Sequence, residues 1–188
     1  MFRGWENYFQ MLGAASAGLI GLLFVVVTLT AGFETSNAQR GQVLYMTPTG
    51  LNFASVLTIS ALALAPGLSP AGMAISFGAV ALFGLGNAIR SSIGIAKPRD
   101  VTERPHWSDF WCYGAAPVVI YLGLGAAAIG LAMHAAWAPY VAAGLLLFQL
   151  LLGIRNAWDL VTWIAPRSSA MAGGTSGGAE AGESDGET

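Results

Sequence analysis

Charged residues are scarce in this sequence, and their scarcity excludes several classes of protein. Only 10% of the 188 residues are Asp, Glu, Lys or Arg, whereas a soluble domain carries about 25%. The chain has a single cysteine, Cys112, which excludes a secreted scaffold held together by internal disulfides. The formal net charge of −2 disfavours a nucleic-acid-binding protein, because such proteins present clustered basic residues to phosphates.

The few charges leave long uncharged runs between them. These runs lie between Glu6 and Glu34, between Arg40 and Arg90, and between Asp109 and Arg155. A bilayer core needs roughly 20 apolar residues per helix, so the runs have room for one, two and two spans. They are apolar on every face, as lipid-embedded helices are, and do not alternate as membrane strands do. The sequence therefore predicts an all-α, polytopic transmembrane helix bundle.

Five spans are expected in a membrane domain of residues 1–165, arranged as one helix and two helical hairpins. They cover about 9–32, 48–65, 71–95, 109–133 and 139–164. The first apolar run is longer than the apolar core of a secretory signal, about 7–15 residues, so we expect it to be retained as a span. Residues 166–188 are rich in Gly, Ser and acidic residues, which predicts a disordered tail.

Basic residues predict the orientation of these spans. With five spans, one side of the membrane holds only Arg3, and the other side holds Arg40, Arg90, Lys97, Arg99, Arg104, Arg155 and Arg167. Basic residues favour the cytoplasmic side, so we expect the N-terminus outside and the C-terminus in the cytoplasm. Aromatic residues favour the headgroup level, and Trp5, Tyr8, Phe9, Trp137 and Tyr140 are expected at the outer edge.

Small residues form a stripe along the first span and a shorter one along the fourth. The residues are Gly13, Ala14, Ala17, Gly18 and Gly21, followed by Gly123 and Ala127. Such stripes let another helix approach closely. Packing inside one bundle and contact between copies of the chain are both consistent with them.

Polar residues gather at the predicted cytoplasmic ends of spans three and five. Asn87 and Arg90 end span three, and Arg155, Asn156 and Asp159 lie near the end of span five. An arginine at this depth can reach water at low cost, so interfacial anchoring explains these residues. The alternative is a polar vestibule that contacts an anion, a lipid headgroup or a substrate.

No cofactor is implied by the sequence, and a metal site is not expected. His106, Asp109 and Cys112 recur at intervals of three residues, but a single such cluster at a membrane face is a weak metal signal. The sequence carries no glycine-rich phosphate loop and no nucleophile elbow. We therefore expect a protein that is not an enzyme.

Two segments resemble a group of small bacterial multispanning membrane proteins. The stretch LGAASAGLIGLLFV, from Leu12 to Val25, resembles their first helix, and NAWDLV, from Asn156 to Val161, resembles the end of their last helix. The position of Pro66-Gly67 after span two also fits the group. The resemblance implies a bacterial plasma membrane and no particular biochemical activity.

These features favour a scaffold, an accessory subunit or a modulator of a membrane complex. Its partners would be the lipid bilayer and either another membrane protein or further copies of the chain. A small oligomeric channel or transporter with a polar cytoplasmic mouth is the alternative. Charged residues near the bilayer centre mark many ion-coupled transporters, and the predicted spans place none there.

Overall fold

A computed structural model describes residues 4–30, 47–96 and 110–180, and all regular structure in these ranges is helical. The elements are α1 (Glu6–Thr30), α2 (Thr47–Leu64), α3 (Pro70–Ala96), a π-helical turn (Phe110–Ala115), α4 (Ala116–Ala132) and α5 (Ala138–Glu180). The predicted all-α fold is thereby confirmed.

Five of the helices in the described ranges are long and apolar enough to cross a membrane. These segments are Glu6–Thr28, Thr47–Leu64, Pro70–Ile93, Trp111–Ala132 and Ala138–Asp159. Their mean hydropathy lies between 1.3 and 2.2, because the uncharged runs of the sequence coincide with them. The predicted number of spans is confirmed.

The backbone of α5 stays helical to Glu180, beyond the predicted end of the fifth span at residue 164. A helix that is already formed continues without a new nucleation cost, which offsets the weak helix propensity of the glycines in this segment. The sequence predicts disorder for residues 166–188, whereas the backbone of residues 166–180 is helical. Residues 181–188 lie outside the described ranges.

Short turns join α2 to α3 and α4 to α5. In the first, Gly67 adopts a φ of 74°, and the Ser69 Oγ accepts a hydrogen bond from the Gly72 N–H at 3.0 Å. Ser69 therefore caps α3, and Pro70 begins the helix where no N–H is needed. The predicted stop at Pro66-Gly67 falls in this turn.

The turn after α4 has the hydrogen bonds of a Schellman motif. The Ala135 N–H donates to the Gly130 carbonyl at 2.8 Å, and the His134 N–H donates to the Leu131 carbonyl at 3.1 Å. His134 occupies the left-handed position with a φ of 56°, a position where glycine is the usual residue.

The core of the bundle is apolar, and α2 and α5 each contact three other helices. Helix α2 contacts α1, α3 and α5, while α4 contacts α3 and α5. Phe53, Phe77, Leu124 and Leu146 are fully buried between these helices. Helix α1 packs on α2 and α5 with one face, and most of its remaining side chains are exposed.

An aromatic cluster ties the start of α1 to the start of α5. The Trp5 ring lies 5.1 Å from the Tyr140 ring in an edge-to-face arrangement, and the Tyr8 hydroxyl donates to the Ala143 carbonyl at 2.9 Å. These residues define what we call the aromatic end of the bundle. Trp137 is half exposed, whereas Phe9 is fully buried in the core.

Candidate functional site: a buried polar network and its crevice

Three helices meet at a hydrogen-bonded network centred on Tyr121. The Tyr121 hydroxyl donates to Asn52 Oδ1 at 3.0 Å and accepts from Gln149 Nε2 at 2.8 Å. It also lies 3.0 Å from the Ser55 Oγ, which bonds the Leu51 carbonyl of its own helix at 2.8 Å. The network thus joins α2 to α4 and α5 through uncharged side chains.

This polar network lies near the middle of the membrane-spanning segments. Tyr121 and Gln149 are close to the midpoints of the spans Trp111–Ala132 and Ala138–Asp159. Asn52, Tyr121 and Gln149 are 3%, 2% and 1% exposed. At this depth no bulk water is available to pair with polar groups, so each group depends on a partner inside the bundle.

Gly84 of α3 makes room for the central tyrosine. A Cβ at this position would overlap the Tyr121 ring, so only glycine lets the ring lie directly on the α3 backbone. The sequence places glycine here without a turn or a positive φ to require it. The close approach of the ring explains the residue.

Two atoms of the network have no hydrogen-bond partner among the residues that the structure describes. They are Asn52 Nδ2 and Gln149 Oε1. Asn52 also lines a crevice together with Pro48, Gly84, Asn87, Tyr113 and Tyr121. This crevice, called the Asn52 crevice below, is small and partly open to the surroundings.

A second polar arrangement holds the π-helical turn against α5. A carbonyl in a π-helical turn accepts from the residue five positions on, but Pro117, five residues after Cys112, has no N–H. The Asn156 Nδ2 donates to the Cys112 carbonyl instead, at 3.2 Å, and the Tyr113 hydroxyl donates to the Asn156 carbonyl at 2.9 Å. Asn156 therefore compensates for the proline.

The other predicted polar residues take different positions. Arg155 Nη1 lies 3.1 Å from Asp159 Oδ2, with both side chains about two-fifths exposed. Asn87 Nδ2 donates to the Phe83 carbonyl at 2.9 Å, and Arg90 is exposed on α3. The structure brings Asn87 to the Asn52 crevice and buries Asn156, which is 1% exposed.

The predicted packing residues also divide into two groups. Gly13 is buried against α2, where an added Cβ would lie 3.3 Å from the Ser60 Cβ. Gly123 approaches the Leu145 side chain, and Ala127 is fully buried. The remaining members of the α1 stripe are exposed on the outer face of the helix, namely Ala14, Ala17, Gly18 and Gly21.

The central network was not predicted from the sequence, because its side chains are uncharged and charged residues are the usual mark of a site inside a membrane span. Asn52 and Gln149 are amides set in long uncharged runs, and this isolation was the available signal. His106 and Asp109 lie outside the described residues.

The five apolar helices and the packed apolar core identify the class of this chain as a multi-pass helical membrane protein. Comparison with protein-family models, with curated proteins and with solved structures gives no match.

Proposed function

We propose that this protein is a non-enzymatic membrane protein that acts as a scaffold, an accessory subunit or a modulator of another membrane complex. The observation that carries the proposal is the outward face of α1. Ala14, Ala17, Gly18 and Gly21 are exposed there, and no neighbouring atom of the described residues lies within 4 Å of a Cβ built on Gly18 or Gly21. Small residues on a lipid-facing helix let a second helix pack closely.

The interior of the bundle supports the same proposal. Large side chains fill the centre of the described structure, including Phe53, Phe77 and Leu146, each fully buried. The partly open Asn52 crevice is small by the standard of ligand pockets, which occupy roughly 300–1,000 Å³. A bundle with a filled core and an outer helix that exposes small residues is better suited to binding another membrane protein than to conducting a solute.

The test is co-purification of the full chain in native lipid discs, with mass spectrometry of the proteins retained. Gly18→Leu should leave the chain folded, because Gly18 is exposed and a Cβ built there meets no described neighbour, and should release the partner. Gly144→Leu is the matched control, since Gly144 is also exposed and no atom in the described part of the chain lies within 4 Å of a Cβ built on it. Equal retention of the partner by wild type and Gly18→Leu would contradict the role given to this face.

A small oligomeric channel or transporter is the second candidate, and the Tyr121 network is the observation that favours it. Polar side chains at mid-span are costly unless they serve packing or transport. Reconstitution of the purified chain in liposomes distinguishes the two roles. Ion or solute flux that Tyr121→Phe alters would support a transport role and contradict the accessory role.

The proposed location is a bacterial plasma membrane with the N-terminus outside and the C-terminus in the cytoplasm. Single cysteines at Ser69 and Ala136, both exposed in turns, test this orientation in a Cys112→Ala background. Both should react with an impermeant thiol reagent added outside intact cells. Labelling of both positions only after the cytoplasmic side is opened would reverse the proposed orientation.

A further inference from the structure

The π-helical turn at the start of α4 precedes a proline that disturbs two alternative hydrogen-bond patterns. In the observed π-helical register a carbonyl accepts from the residue five positions on, so Pro117 leaves the Cys112 carbonyl without its backbone donor. In an α-helical register the donor lies four positions on, and Pro117 would leave the Tyr113 carbonyl without its donor instead. Each register loses one backbone hydrogen bond to the same proline, so the number of such losses does not decide between the registers.

Asn156 of α5 favours the π-helical register, because its side chain pairs with the carbonyl that this register leaves open. The Asn156 Nδ2 donates to the Cys112 carbonyl at 3.2 Å, and the Asn156 carbonyl accepts from the Tyr113 hydroxyl at 2.9 Å. Asn156 and Tyr113 are 1% and 4% exposed, so a lost hydrogen-bond partner is costly at this place. In the α-helical register the Ala116 N–H would bind the Cys112 carbonyl, and the Asn156 amide would not be needed there.

The side of the turn that faces α3 meets that helix through a small residue. A Cβ built on Gly114 would lie 3.2 Å from the Ser92 Oγ. The Ser92 hydroxyl donates to the Ala88 carbonyl of its own helix at 2.8 Å, so a rotation of the turn against α3 does not break that bond. The turn therefore packs on α3 at this point, whereas Asn156 binds it to α5 through hydrogen bonds.

We propose that Phe110–Ala115 is a conformational device with two registers. The Asn156 side-chain amide holds it in the π-helical register, and it rewinds into the α-helical register when that amide is withdrawn. Rewinding takes one residue out of the wide turn, so the residues at its start, including Trp111, rotate by about 100° around the α4 axis. Because Asn156 belongs to α5, a shift of α5 along α4 becomes a rotation at the start of α4. Single π-helical turns of this kind are frequent at functional sites.

Oriented solid-state NMR of the full-length protein tests the proposal in aligned bilayers of phosphatidylethanolamine and phosphatidylglycerol. Cys112 is the single cysteine of the chain, so labelling with ¹⁵N-cysteine gives one backbone resonance, and it comes from within the turn. The dipolar coupling of this N–H reports the orientation of its peptide plane. The couplings of residues 118–132 follow the period of α4, about 3.6 residues. Cys112 fits this pattern, extended back along the chain, only in the α-helical register.

The wild-type Cys112 coupling should depart from the α4 pattern, and Asn156→Leu should move it onto the pattern. Pro117→Ala should move it in the same direction, because it restores the N–H that the Tyr113 carbonyl needs in the α-helical register. This second variant keeps Asn156 and so tests the same equilibrium if Asn156→Leu does not fold. Arg155→Leu, at the neighbouring exposed residue of α5, is the control and should keep the wild-type coupling. The proposal is overturned if folded Asn156→Leu or Pro117→Ala keeps the wild-type coupling, or if the wild-type protein already fits the α4 pattern.

Discussion

Removing the hydroxyl of Tyr121 should destabilise the bundle more than removing any other single oxygen atom of the network. Tyr121→Phe deletes the donor to Asn52 Oδ1 and the acceptor for Gln149 Nε2 together, at 3.0 and 2.8 Å. The phenyl ring stays the same, so its packing on Gly84 is retained. The variant therefore isolates the hydrogen bonds from the apolar contacts.

The expected loss is about 1–2 kcal/mol in the free energy of unfolding. A buried group left without a partner costs about 1–3 kcal/mol, whereas interhelical hydrogen bonds in a membrane bundle average about 0.6 kcal/mol and reach about 1.7 kcal/mol. Two bonds are lost, but Gln149 keeps a longer contact of 3.4 Å to Asn52 Oδ1. Ser55 keeps its bond to the Leu51 carbonyl, which limits the cost further.

Equilibrium unfolding in mixed micelles, followed by tryptophan fluorescence, measures this change. Tyr140→Phe is the control, because Tyr140 is 66% exposed and its hydroxyl belongs to the aromatic end rather than to the network. A Tyr121→Phe/Gln149→Leu double-mutant cycle should show coupling between the two sites. The reasoning fails if Tyr121→Phe is as stable as Tyr140→Phe, or if the cycle shows no coupling.

Three further predictions use the same unfolding measurement. Gly84→Ala should destabilise the bundle, because the added methyl group would overlap the Tyr121 ring. Gly86→Ala, two positions along α3 in open space, should stabilise the bundle by about 0.5–1 kcal/mol. Equal effects of the two substitutions would contradict the close approach of the ring to Gly84. Asn156→Leu should lower the free energy of unfolding by about 1–3 kcal/mol, because it leaves the Cys112 carbonyl without the Asn156 amide. Arg155→Leu should lower it by under about 1 kcal/mol, because the ion pair with Asp159 is solvent-accessible. The reverse order would show that the ion pair contributes more to stability than Asn156 does. His134→Gly should stabilise the turn after α4 by about 1 kcal/mol, since glycine tolerates its positive φ, and a destabilised variant would show that the histidine side chain has an unrecognised stabilising contact.

The spans could be predicted from the sequence because charge determines them. A charged side chain is excluded from the bilayer centre by its desolvation cost, so Arg90 and Arg155 mark the ends of the apolar spans whatever the helices pack against. Pro66-Gly67 likewise marks a turn through backbone conformation alone. These signals act locally, and the structure agrees with them.

The polar network could not be predicted in the same way, because it depends on how the helices rotate against one another. Asn52 and Gln149 are far apart in the sequence, and only the packing of α2 against α5 places them together. The stripe on α1 shows the same dependence: Gly13 and Gly18 look alike in the sequence, but only Gly13 is buried. The role of Asn156 follows from a carbonyl that the π-helical turn leaves unpaired, which residue spacing does not reveal.

The neutrality of the Tyr121 network has a consequence for the response of this protein to voltage. A membrane potential acts on charge, at about 2.3 kcal/mol per elementary charge moved across 100 mV. Asn52, Ser55, Tyr121 and Gln149 carry no net charge, so rearranging their hydrogen bonds moves no gating charge through the field. The centre of the bundle should therefore have the same conformational balance in an energised and a de-energised membrane.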